Sequence, residues 1–360
     1  MSENGNVAVE EVKKTTKPRI TKALKNAIII RQNLNRGTRH YIYSSDVRET
    51  YKKEYNYVQQ DVKLLRFAQD IVGAISDCYI LYAVSVMGVA DMDSLRLFLK
   101  ALSNSDKNLS IADPDNKELL KRRVKTLVTN GFLFKHRYEV DTFDANNEPI
   151  VNRVSLYSID KSAQSFMNQK LAKRIAVNEW FSAKPLKELI GWTACGYIEG
   201  AVAQNSSSYL EHKQGIYKTK TLGTSFIPGV LKTHNKNGNF YTAFIPSFLH
   251  RDLMFQTEDD YTDACYQTLN LIKQYLYFRD MREQNARVVI VVEDNADLNN
   301  ICDLILEAQS LNVDLERIYF TGEGAVKCAG VQNVKECFLQ MKLSSDGTEY
   351  QLYNVIPDFM

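Results

Sequence analysis

Cysteine, histidine and glycine are all used sparsely here, and in no pattern that builds a site. The six cysteines (Cys78, Cys195, Cys265, Cys302, Cys328, Cys337) include no CxxC pair, and none has a histidine at zinc-ligand spacing. That argues against a zinc module or a disulfide framework and predicts buried free thiols in a reducing, cytoplasmic setting. The five histidines (His40, His136, His212, His234, His250) stand singly, so the His-apolar-His metal pair of a DNA-nicking enzyme is missing. Thr321-Gly322-Glu323-Gly324 lacks the Lys-Ser/Thr of a phosphate-binding loop and the third glycine of a dinucleotide fingerprint, and reads as a turn. No apolar run follows the first residues, so no signal peptide is expected. Residues 71–90 are apolar, but Asp77 interrupts them and Asp91 and Asp93 follow, which predicts a core helix and no membrane contact. Neither a cofactor nor a metal site is expected.

Net charge is low as well, at +2, but unevenly spread. Residues 12–53 hold 12 Lys/Arg against Asp46 and Glu49, a local +10 that leaves −8 on the rest of the chain. A basic arm on a mildly acidic body predicts a polyanionic partner, most simply double-stranded DNA. Arg31, Arg36 and Arg39 are the arm's candidate phosphate contacts, and the tyrosines among them are expected to pack on the body. At 360 residues, two domains are the natural expectation. The reading is a basic, partly disordered arm at 1–60 and domains at 61–160 and 161–360.

What organises the first domain is the stretch 116–158. Asn116 is a good helix N-cap, and Leu120, Val124, Leu127 and Val128 make one apolar stripe. Lys117, Lys121, Arg122 and Lys125 fall outside it, and Asn130-Gly131 is a helix stop. A strand with Lys135 and Arg137, a turn-rich loop and a second strand (151–158) follow. Helices expected at 61–73 and 77–87, and a third capped by Asp91 or Asp93 with Leu95, Phe98, Leu99 and Leu102 inward, precede it. Helix, helix, helix, hairpin is the order of a winged helix-turn-helix, with 116–129 as recognition helix. The candidate DNA contacts are Asn116, Lys117, Lys121, Arg122, Lys125, Lys135 and Arg137, together with the arm. The expected wing tip is acidic (Asp141, Asp144, Glu148), so it points away from DNA or serves a protein contact.

Beyond a linking helix at 161–180, the second domain reads as a helix at 186–204 loosened by Gly191, Gly196 and Gly200. Strands follow at 208–217, 225–232 and 239–245, the last two joined by a hairpin turn at 234–238. Then come a helix at 261–278, a buried strand at 287–292, a helix at 298–310, a short strand at 317–321 and an edge strand at 348–355. Helix, three strands, helix, strand resembles the PD-(D/E)XK nuclease core, which holds a divalent metal on an Asp of the second strand and an acid-x-Lys of the third. Here Gly229 follows Pro228 where the Asp belongs, and FYTAFIPSF carries neither acid nor Lys. The nearby acids Glu199, Glu211 and Asp252 do not make the motif. VVIVVEDNADL resembles the start of a receiver domain, but no later strand ends in a phosphoacceptor Asp.

Over residues 75–325, LVTNGFLFKHRY, SFIPG, NGNFYTAFIPSFLHRD and VVIVVEDNADL together resemble the replication-relaxation proteins of plasmids and integrative elements. The resemblance implies an α/β (α+β) chain, an N-terminal winged helix followed by a nuclease-like mixed-sheet domain, here without the residues for catalysis. It implies a duplex-DNA-binding accessory protein that assists or regulates plasmid replication or conjugative transfer, alongside other replication or transfer proteins. Two alternatives stay open: a metal-dependent nuclease with a migrated carboxylate, and a winged helix that binds protein or regulates transcription.

Overall fold

The computed structural model describes residues 40–42, 77–105, 115–130, 132–143, 149–159, 186–206, 209–219, 223–247, 268–273, 275–276, 285–307 and 314–360. Most of the basic arm, the helices expected at 61–73 and 161–180, most of the one at 261–278 and the wing tip at 144–148 lie outside these residues.

The first group of elements grows from α1 (Asp77–Met87), which is apolar nearly all round and buried accordingly. Gly88, at φ 77°, turns the chain sharply from α1 into the two-residue strand β2 (Val89–Ala90). Helix α2 (Met92–Ser105) starts on a reciprocal cap: Ser94 N donates to Asp91 Oδ1 at 2.7 Å and Asp91 N donates to Ser94 Oγ at 3.0 Å. Asp91 is therefore the cap, not Asp93. Helix α3 (Lys117–Thr129) is followed by β3 (Leu133–Phe143) and β4 (Pro149–Ile159), an unbroken antiparallel hairpin from Leu133↔Ile159 to Phe143↔Pro149. β2 pairs with the far end of β4, and β1 (His40–Ile42) pairs with the outer half of β3, His40 opposite Asp141. The sheet order is β1-β3-β4-β2.

The second group is mixed α/β, built on a seven-stranded mixed sheet of order β11-β10-β9-β8-β7-β6-β5. Helix α4 (Leu186–Asn205) leads into the antiparallel run β5 (Tyr209–Thr219), β6 (Gly223–Asn235) and β7 (Gly238–Pro246). The β6–β7 turn is tighter than expected, closing at Asn235↔Gly238 with Gly238 at φ 121°. β8 (Ala286–Val291) lies parallel to β7, and β9 (Ile318–Thr321) parallel to β8. Between β7 and β8 lies the helical stretch 268–273 and 275–276; between β8 and β9 lies α5 (Asn295–Glu307). After α6 (Glu323–Ala329), β10 (Phe338–Leu343) and β11 (Tyr350–Val355) close the sheet as an antiparallel pair. β10 carries no strong alternation and escapes a sequence reading. Gly322 is the N-cap of α6, so 321–324 is a strand-to-helix junction and not a free turn.

The two groups share a core. Val89, Leu97, Ala101 and Leu156 pack into the apolar cluster of the large sheet. The glycines of α4 do not loosen it: the helix is continuous, and each glycine marks a close approach. A Cβ at Gly200 would stand 3.0 Å from Leu97 Cβ and 3.2 Å from Phe98 N, one at Gly196 3.2 Å from Met87 Sδ, and one at Gly191 2.9 Å from Pro246 Cβ. This is why α2 buries Leu97 and Ala101 besides its inner stripe of Leu95, Phe98, Leu99 and Leu102. Cys195, Cys302 and Cys337 are buried free thiols, as the sequence predicts, whereas Cys328 on α6 is exposed.

Candidate nucleic-acid interface

Helix α3 is oriented by two independent restraints. Leu120, Val124 and Leu127 are buried against α1, α2 and Phe132. Beside that stripe Arg123 forks onto Asp77 at the start of α1: Nε donates to Oδ1 at 2.8 Å and Nη2 donates to Oδ2. Asp77 is 1% exposed while the Arg123 side chain is 28% exposed. Burial raises the Asp77 carboxyl above its ordinary value, and Arg123 pulls the other way. With one flank buried and the next pinned, Lys117, Lys121, Arg122 and Lys125 are left exposed.

The ends of α3 are capped from within. Asn116 Oδ1 accepts from Leu119 N at 3.1 Å, as a cap should, so its carbonyl is committed to the helix. Asn130 Nδ2 donates to Thr126 O at 2.7 Å. Lys135 lies half-buried on β3 opposite Tyr157. Arg137 lies on the same strand, its backbone paired with Ser155. Lys117, Lys121, Arg122 and Lys125 thus share one helix and one exposed surface, with Lys135 and Arg137 on the adjoining strand. Arg31, Arg36 and Arg39 fall outside the described residues.

Pro228-Gly229 sits where β6 holds one more residue than β5, since Lys213 pairs with Val230 and Gly215 with Ile227. A proline cannot donate to the ladder, so the strand bulges there. On β7, Phe240, Thr242 and Phe244 share the face of Pro246, which meets α4. Thr242 is fully buried and its Oγ1 has no hydrogen-bond partner among the described residues. Glu199 of α4 is 4% exposed. Among the described residues no group of three or more His, Cys, Asp or Glu is placed to hold a metal ion.

Two aspartates at the ends of the parallel strands are held by the protein's own groups. At the ends of the parallel strands, buried Asp297 accepts from Ser247 Oγ at 2.5 Å and from Glu293 N at 2.9 Å. Both of these bonds fall on Oδ2. No protein-family model, curated protein or solved structure matches the chain. At the opposite ends of the strands, Asp358 accepts from Arg287 Nε at 3.0 Å and Tyr319 Oη at 2.9 Å, while Thr233 Oγ1 donates to Phe359 O at 2.8 Å. Burial, with Asp358 beside it, pushes the Tyr319 phenol well up. The Phe359 ring is fully buried, edge-on to Tyr319 at 5.3 Å and to Phe338 at 5.9 Å.

Sequence reasoning placed the exposed bases of α3 but missed Arg123 and Asp77. The available signal was a lone acid opening an apolar helix and an arginine on the flank of an apolar stripe. The Arg287–Tyr319–Asp358 set had no local signal, because its members come from 71 and 39 residues apart. Among the described residues, no helix is long and apolar enough to cross a membrane.

Proposed function

We propose that this chain is a double-stranded DNA-binding accessory protein, with α3 as its DNA-facing helix and no catalytic role for the large sheet. The observation that carries the reading is the exposed face of α3, four bases on a helix held in place by its apolar stripe and the Arg123–Asp77 fork. The order α1, β2, α2, α3, β3, β4, with β2 returning to pair with β4, agrees with a winged helix, in which the third helix enters the major groove. The run α4, β5–β6–β7 antiparallel, helical 268–276 and β8 parallel to β7 agrees with a nuclease-like scaffold. Gly229 and the apolar face of β7 speak for one without catalysis. A role in plasmid replication or conjugative transfer, in a cytoplasmic setting and beside other replication or transfer proteins, rests on the resemblance of the sequence alone.

The test is fluorescence anisotropy with duplex DNA and the full chain. Lys121→Ala/Arg122→Ala should weaken binding by at least ~1 kcal/mol without loss of fold. Unchanged affinity in the folded double variant removes α3 from the interface. In parallel, supercoiled plasmid should stay intact with magnesium or manganese. Metal-dependent nicking that Glu199→Gln abolishes would instead establish the nuclease reading.

A further inference from the structure

On the reading that α3 meets duplex DNA, its surface says what it meets there. Lys117, Lys121 and Lys125 are spaced four apart and all exposed, so they form one ridge along the helix with a step of about 6 Å. The ridge spans about 12 Å, the axial rise of three to four phosphates on one strand at ~3.4 Å each.

Base reading relies most on planar groups that make two hydrogen bonds at once, the arginine fork on guanine and the asparagine or glutamine amide on adenine, although lysine can also meet guanine. Within α3 there is neither Asn nor Gln. The asparagines at its two ends are used by the helix itself, Asn116 Oδ1 on Leu119 N and Asn130 Nδ2 on Thr126 O. Both threonines turn their hydroxyls inward, Thr126 Oγ1 donating to Arg122 O at 3.0 Å and Thr129 Oγ1 to Lys125 O at 2.9 Å. Of the two arginines, Arg123 is forked onto Asp77. Arg122 is left as the one fork-shaped donor on the exposed face, and Glu118 beside it repels phosphate without offering a donor.

We infer that α3 grips duplex DNA through its phosphates by the Lys117–Lys121–Lys125 ridge, so that this helix contributes affinity with little regard to sequence. Lysine is suited to that task, being a compact charge on a flexible stem, and each phosphate it neutralises releases counterions. A single Arg122 can discriminate at about one base pair, which is too little to define a site.

The experiment uses the full chain and three unrelated duplexes of equal length, titrated between about 50 and 200 mM salt. The three affinities should agree within about 150-fold, the upper reach of one arginine contact. Lys117→Ala/Lys121→Ala/Lys125→Ala should make the slope of log K against log salt shallower by about 2.7 and weaken all three duplexes alike. The triple Lys→Arg variant should keep the slope, since the charges remain. Because the three lysines are exposed, thermal unfolding of each variant should match the parent. Selection from a random duplex pool that yields a motif bound more than about 150-fold more tightly overturns the inference but leaves DNA binding standing. So does an unchanged slope in the alanine variant. Absence of duplex binding by the parent chain at any salt overturns the DNA-binding reading itself.

Discussion

The two halves of this protein use their polar residues in opposite ways. In the first, charge is displayed: α3 buries a narrow stripe, spends Arg123 on alignment and leaves four bases exposed. In the second, two aspartates are spent internally. Asp297 is committed to Ser247 and the Glu293 amide, and Asp358 to Arg287 and Tyr319. Both halves bury a carboxylate, but only the first does so in a way that leaves neighbouring charge for a partner.

The comparison can be broken first at the Phe359 anchor. Phe359→Ala empties a fully buried site between Tyr319 and Phe338 and should cost about 3–5 kcal/mol in urea unfolding. A cost under ~1 kcal/mol would mean that the segment 357–360 rests on the sheet without stabilising it.

The fork is the next test. Arg123→Ala strands a buried carboxylate and should cost about 3 kcal/mol at neutral pH. The sign with pH follows from Asp77. Its carboxyl is already above the ordinary 3.8 because of burial, so the folded chain holds that proton more tightly than the unfolded one. Its contribution then falls as pH rises from the ordinary value through the raised one. Removing Arg123 deepens that fall, so the variant should lose stability relative to the parent as pH rises above the ordinary carboxyl value of 3.8. Asp77→Asn added to Arg123→Ala should flatten the pH dependence. A pH-independent cost would show that Arg123 acts by packing alone.

Gly200→Ala sharpens the boundary between the halves. The new methyl meets Leu97 Cβ and the Phe98 amide, neither at the end of a flexible side chain, so a cost of about 1–3 kcal/mol is expected. One cooperative transition in both parent and variant would mark the halves as a single folding unit. The smallest effect is at the β10–β11 turn, where hydrogen bonds from Ser344 Oγ (2.6 Å) and Thr348 N (3.2 Å) hold Asp346 down to about 2. A depressed acid supports the turn above its ordinary pKa and releases it as pH falls through about 2. The Thr348 amide should report that titration by NMR and lose it in Asp346→Ala.

Much of the fold was legible where periodicity is strong and local. The stripe of α3, the inward residues of α2, the continuous apolar run of β8 and the β6–β7 hairpin all follow from spacing and turn residues. The elements that escaped are those whose burial comes from a distant neighbour. Leu97 and Ala101 look like the outer side of α2 until α4 covers them, and Gly196 and Gly200 look like weak points until α1 and α2 press against them. The site divides the same way, since exposure of Lys121 is a matter of helix phase but the role of Arg123 needs Asp77, 46 residues earlier.

By itself, then, the sequence determined which faces of its helices and strands are apolar, where helices begin and end, and that charge gathers on α3 and the arm, because these depend on residues within a turn or two of one another. The tertiary structure alone decided which polar groups remain available. Whether an aspartate is a ligand, a cap or a buried clasp depends on what the rest of the chain brings within hydrogen-bond reach. For Asp77, Asp297 and Asp358 those partners arrive from 46, 50 and 71 residues away.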